Sequence, residues 1–314
     1  MTSFLHHFVL ASPLFLLVLV GYLLARSGQW PAAVSDALSR FSYVVAMPAM
    51  LFRMMSDFSA MPPVDARLLL AFFGGCLIVF ILARVVAHTL FRLDGVAQSV
   101  FALGGVFSNN VMLGVAIAKT TLGDAALPAV SLVIVFNALI LWTLVTVSVE
   151  WARHGEFSLH GFGQTTRGVL TNPIVASILA GTAWGFAGLP LPGFIDQPLA
   201  MLAQSAVPLS LVALGMSLAV YRIADGLAQS LAICAFKLGL QPLVVWLLAR
   251  ALGLPPLETQ AVTLLASLAI GINVYMMSQQ FRTLQGPIAA GLVLSTLLSS
   301  ITTPLVLALI QTGG

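Results

Sequence analysis

Residues 96–118 read VAQSVFALGGVFSNNVMLGVAIA. That is about the length a helix needs to cross the hydrocarbon core of a bilayer, and both of its ends are apolar. Its middle is not. Gly104, Gly105, Ser108, Asn109 and Asn110 stand where an uninterrupted helix would carry Leu, Ala or Val. Glycine costs helix backbone entropy, and serine and asparagine offer the backbone competing local hydrogen bonds. The run therefore predicts a helix broken within the membrane. A weaker version stands at Ser267-Leu268-Ala269-Ile270-Gly271-Ile272-Asn273, followed by Tyr275. A break exposes N–H groups at the new N-terminus, where the helix dipole favours an anion by about 0.3 to 2 kcal/mol.

Around these two segments the chain is apolar throughout. Of its 314 residues 60% are hydrophobic and 7% charged, whereas soluble domains carry about 25% charged residues. Unpaired backbone groups in hydrocarbon cost several kcal/mol each, so such a chain spans as helices or as a closed barrel. Barrel strands alternate polar with apolar residues, and this chain has continuous apolar runs. An all-α membrane protein follows. Windows of about 19 residues place ten spans near 4–25, 33–55, 66–87, 96–118, 125–150, 168–187, 196–221, 228–251, 258–281 and 287–311. With the N-terminus outside, Arg26, Arg40, Arg84, Arg92, Arg153, Arg167, Arg222 and Arg282 fall inside, against Arg53, Arg67, Lys119 and Arg250 outside. That balance predicts a multi-pass inner-membrane protein with both termini outside.

Several functions are disfavoured by the same residues. The net charge of +3 is scattered at span ends and forms no basic face for nucleic acid. Cys76 and Cys234 lie in apolar runs with no metal-ligand spacing, so no metal and no cofactor are expected. There is no HExxH, GxSxG or nucleotide loop, which argues against an enzyme. The acidic residues all lie at or near span ends, so no mid-span carboxylate stands ready to couple a proton or sodium ion.

The two halves repeat. Pro13 and Gly21 in span 1 match Pro173 and Gly181 in span 6, and Pro48 in span 2 matches Pro208 in span 7, all 160 positions apart. Asn110 falls opposite Asn273 and Gly123 opposite Gly286, 163 positions apart. Five spans per half is an odd number, so the second copy enters the membrane inverted. The expected organisation is a first repeat over 1–150, a cytoplasmic connection over 151–167 and an inverted repeat over 168–314, with helices 4 and 9 broken and crossing at mid-membrane. Paired breaks of this kind point to a transporter site. Ser108, Asn109, Asn110, Asn273 and Tyr275 are its candidates, with Gly104, Gly105 and Gly271 as hinges and Pro48 and Pro208 as kinks. The alternative is that the asparagines merely bond helix to helix. Asn137 in span 5 either lines the same cavity or bonds between helices. Lys237, a lysine inside span 8, is either a counter-charge for an anion or a tether to a carbonyl.

AMPAMLF in span 2, SNNVMLGVAIAKTTLGD in span 4, the spacing of Lys237 to Pro242, and GINVYMM in span 9 together resemble the auxin efflux carrier family, over essentially the whole chain. The match is to its bacterial, malonate-transporter-like branch. The resemblance implies an architecture similar to the sodium/bile-acid symporters, with a scaffold of spans 1, 2, 6 and 7 and a moving domain of spans 3 to 5 and 8 to 10. It implies a secondary carrier for a small organic anion by elevator-like alternating access, with a homodimer through the scaffold as an option. An ion-coupled symporter, or a channel or sensor on the same fold, is the alternative. Asn109 falls at the family's span 4 site asparagine, and Asn137 at a polar position on span 5. Plant members place prolines at the crossing, where this chain has Ser108, Ala116, Ala269 and Val274. Glycine, serine and asparagine must make the breaks here.

Overall fold

The computed structural model describes residues 2–56, 65–154, 173–219 and 226–312. Helix α1 (Thr2–Arg26) is followed by α2 (Ala32–Phe41), a π-turn (Ser42–Ala46) and α3 (Met47–Ser56) in one continuous rod. Next come α4 (Arg67–Thr89) and an interrupted pair, α5 (Gly95–Gly104) and α6 (Val115–Leu122), with a π-turn (Asn110–Gly114) leading into α6. Helix α7 (Leu127–His154) runs past the predicted boundary at 150, and the connection expected over 151–167 lies outside the described residues from 155 onward. Arg167 and Arg222 lie outside them too. After α8 (Pro173–Phe186) and α9 (Gly193–Leu218), α10 (Leu227–Ala235) continues through a π-turn (Phe236–Leu240) into α11 (Gln241–Ala251). A second interrupted pair, α12 (Pro256–Ser267) and α13 (Ile272–Gln280), precedes α14 (Gln285–Thr312).

Leu297, Ile301, Leu305 and Leu309 form an exposed stripe along α14, and Leu70, Leu77, Ile81 and Val85 form one along α4. The opposite face of α4 buries Ala71, Phe72, Cys76, Val79 and Ala83. Helices that are apolar on both their packed and their exposed faces are solvated by lipid. Among the described residues, Phe8–Arg26, Arg67–Thr89, Gly193–Leu218, Leu227–Ala251 and Gln285–Ile310 are long and apolar enough to cross a membrane. Gly95–Gly104, Asn110–Leu122, Asp124–Asn137 and Pro173–Phe186 are shorter apolar helices.

Helix α1 packs on α9 and α14, α3 on α8 and α9, α4 on α5 and α11, and α12 on α11 and α14. Two of these pairs, α1 with α9 and α3 with α8, meet backbone to backbone. A Cβ on Gly21 would collide with Val212 O, and one on Gly181 with Phe52 O. Lipid tails are as apolar as the side chains, so close packing between small residues is what holds such helices together. Pro48 and Pro242 each stand two residues beyond a π-turn. A proline ring clashes with the carbonyl four residues back, and the wider turn relieves that clash. Pro208 lies inside α9 with no such turn, and it is exposed.

Candidate functional site at the helix crossing

Between Gly104 and Asn110 the chain leaves the helix, and between Ser267 and Ile272 it does so again. The two extended segments pair antiparallel at Ser108 and Ile270. Asn109 N–H donates to Ala269 O at 2.9 Å and Gly271 N–H to Phe107 O at 2.8 Å. Backbone groups freed by one break are thus satisfied by the other, as a buried backbone requires. Gly271 has an extended backbone (φ −75°, ψ 142°) that any residue can adopt, so conformational freedom does not explain it. Contact does: a Cβ there would lie 3.0 Å from both the Phe107 ring and Ser108 O. Gly104 and Gly105, predicted as hinges, close α5 and lie under Ile233 and Phe236 of the neighbouring helix.

Four helix ends meet around this bridge, and the chain treats them by polarity. The C-terminal ends are filled. Lys237, fully buried, donates Nζ–H to Ala266 O at 2.6 Å, and Thr303 donates its hydroxyl to Ser267 O at 3.0 Å. Gln241, one turn beyond Lys237, donates Nε2–H to Val106 O at 2.8 Å. A cation at a helix C-terminus opposes the negative end of the dipole. Of the two roles open to Lys237, the tether therefore has its carbonyl partner in place.

The N-terminal ends are left open. Where the first arm restarts, the N–H groups of Val111 and Met112 find no acceptor among the described residues. Asn109 and Asn110 are 6% and 2% exposed, yet Asn109 Nδ2 and Asn110 Oδ1 lack partners, as does Ser108 Oγ. Asn110 Nδ2 donates to Asn137 Oδ1 on α7 at 3.3 Å, which ties span 5 to the break. A buried polar atom without a partner costs about 1 to 3 kcal/mol. Native chains keep such atoms where a ligand or water takes them up. On the second arm Asn273 is half-buried and uncapped at the start of α13, and Tyr275 OH accepts from Gln279 Nε2 at 2.6 Å.

The crossing thus gathers Ser108, Asn109 and Asn110 on one arm with Asn137 beside them on α7, and places Asn273 and Tyr275 on the other arm, just beyond Gly271. Lys237 stands at the carbonyl ends. Pro48 and Pro208 lie on α3 and α9 and make no part of the bridge. Gln241 and Thr303 were not singled out from sequence as site residues. The four-residue spacing of Lys237 and Gln241 on one face of an apolar helix was the available signal for the first, and nothing marked the second.

A family model described as membrane transport protein matches residues 7–307. A protein of Rhizobium meliloti named "Putative malonate transporter" is 29% identical over 309 residues, covering 97% of this chain and 96% of its own length. An uncharacterized transporter of Methanocaldococcus jannaschii is 25% identical over 250 residues, covering 77% of this chain and 79% of its own. These relatives are transporters and not enzymes, and a multi-pass helical membrane protein is what the apolar helices require. The chain belongs to the membrane transport protein family, the auxin efflux carrier type that its sequence resembles.

Proposed function

We propose that this chain is a secondary carrier for a small organic anion, a mono- or dicarboxylate, and that the anion binds at the crossing of the two broken helices. One observation carries this: both helix C-termini at the crossing are filled by donors of the chain, while the N–H groups of Val111 and Met112 and the adjacent Asn109 Nδ2 are unfilled. An acceptor-rich ligand completes that arrangement, each charge-assisted hydrogen bond contributing about 1.5 to 3 kcal/mol. Asn273, Asn137, Ser108 and Tyr275 line the site in this reading, and Lys237 adds positive potential from the carbonyl side. The name of the Rhizobium meliloti relative makes malonate the first ligand to try.

Ten spans in two inverted repeats, 1–150 and 168–314, fit the same account. The Gly21–Val212 contact maps onto Gly181–Phe52 when each partner is shifted by 160 positions. The bridge maps onto itself at a shift of 162, because Asn109 N to Ala269 O becomes Gly271 N to Phe107 O. That is one residue short of the 163 obtained by matching Asn110 with Asn273, and it pairs Asn110 with Ile272. Spans 1, 2, 6 and 7 then form a scaffold, which also supplies the surface for a homodimer. Spans 3 to 5 and 8 to 10 move as the elevator, in an inner membrane with both termini periplasmic. A panel of small carboxylates tested by thermal shift on the purified chain checks the site. At a hundred times Kd a ligand stabilises by about 2.7 kcal/mol, and Asn109→Ala should remove that shift. A shift equal in Asn109→Ala and the unmutated protein places the ligand elsewhere.

A further inference from the structure

We infer that the carried species presents a protonated carboxyl group to Asn109 and Asn110, so that a dicarboxylic acid is taken as its monoanion and brings its own proton. This rests on the carrier reading above and specifies which form of the substrate the site accepts. The two unfilled side-chain atoms at the break have opposite demands. Asn109 Nδ2 is a donor seeking an acceptor, and Asn110 Oδ1 is an acceptor seeking a donor. As the two amides meet here, Asn110 Nδ2–H donates to Asn137 Oδ1, and the Asn110 oxygen is the free end.

An ionised carboxylate has acceptor oxygens only. It can serve Asn109 Nδ2 and the open N–H groups of Val111 and Met112, but it meets Asn110 Oδ1 as one acceptor against another. A carboxylic acid has both halves, its carbonyl accepting from Asn109 and its hydroxyl donating to Asn110. In a monoprotonated dicarboxylic acid the second, ionised group remains for the helix N-terminus. The proton stays on the substrate oxygen throughout, and no protein group changes its charge.

The ionisable groups on neighbouring elements do not compete for this role. Asp196 begins α9 and pairs with Arg53, Lys119 ends α6 and pairs with Asp124, and Glu258 lies in the first turn of α12. Tyr22 lies on α1, and Glu150 is thirteen residues along α7 from Asn137, about 20 Å of helix rise. Lys237 is held at Ala266 O. None of the described ones bonds to Asn109 or Asn110.

Calorimetric titration of the purified full chain with malonate and with its monoamide, from about pH 5 to about pH 8, tests this. The carboxamide offers a donor and an acceptor at every pH. Above the second ionisation of malonate, its apparent Kd should rise about tenfold per pH unit, because only the protonated fraction competes. The Kd of the monoamide should stay constant, and Asn110→Ala should flatten the malonate profile. A malonate Kd independent of pH overturns the inference, and so does a monoamide that fails to bind where malonate binds. If neither ligand binds at any pH, the inference falls for malonate, while the carrier reading is decided separately by the carboxylate panel.

Discussion

Replacing Gly271 and Gly239 by alanine, one at a time, should change stability in opposite directions. Both glycines lie in span-length apolar segments, and neither has a positive φ. At Gly271 the new methyl would lie 3.0 Å from the ring of Phe107, itself 2% exposed, and 3.0 Å from the Ser108 carbonyl oxygen. Neither neighbour can yield without moving the bridge. Forcing a methyl into a packed site costs about 1 to 3 kcal/mol. Weakening the Gly271 N–H bond to Phe107 O adds about 0.5 to 1.5 kcal/mol. The lost freedom of the unfolded chain returns only about 0.4 to 1 kcal/mol. Gly271→Ala is therefore expected to destabilise by about 2 kcal/mol. A Cβ on Gly239 meets nothing within 4 Å, and alanine there should stabilise by about 0.5 to 1 kcal/mol. Unfolding in mixed micelles, followed by circular dichroism, should separate the two variants by about 3 kcal/mol. A difference below about 1 kcal/mol would refute the claim that the two arms meet through their backbones at Gly271.

Further outcomes follow from the other contacts. Gly21→Ala and Gly181→Ala should each destabilise by about 2 kcal/mol or more, and by similar amounts, since each methyl strikes a helix carbonyl of the partner; micelle unfolding reads both. Asn137→Leu removes the acceptor of Asn110 Nδ2, and the ligand Kd should rise about tenfold, measured by the same calorimetry as for the unmutated chain. Lys237→Met exchanges an orphaned Ala266 carbonyl, at about 1 to 3 kcal/mol, against relief of a buried ammonium of similar cost. Its stability should stay within about 1 kcal/mol of the unmutated protein.

The first break was legible because two glycines and three polar residues crowd into seven positions, whereas the second carries only Ser267, Gly271 and Asn273 among four apolar residues. Their pairing was less legible. Phe107 and Ala269 bond through their carbonyls, so no side chain marks them, and the conspicuous asparagines drew the alignment one residue off the register of the bridge. The partner of Lys237 was hidden for the same reason, being a carbonyl 29 residues away. Apolar length, by contrast, is written in composition and needs no partner. The π-turns before Pro48 and Pro242 could be anticipated only through the proline that each one accommodates.

Counterflow tests most directly whether this protein is a carrier. Proteoliposomes loaded with unlabelled malonate should accumulate external labelled malonate transiently above equilibrium, since a carrier returns loaded faster than it returns empty. Asn109→Ala combined with Asn273→Ala should abolish that overshoot in protein that still folds. Malonate flux that neither saturates nor shows an overshoot, or an overshoot that survives both substitutions, would contradict a carrier whose site is the crossing.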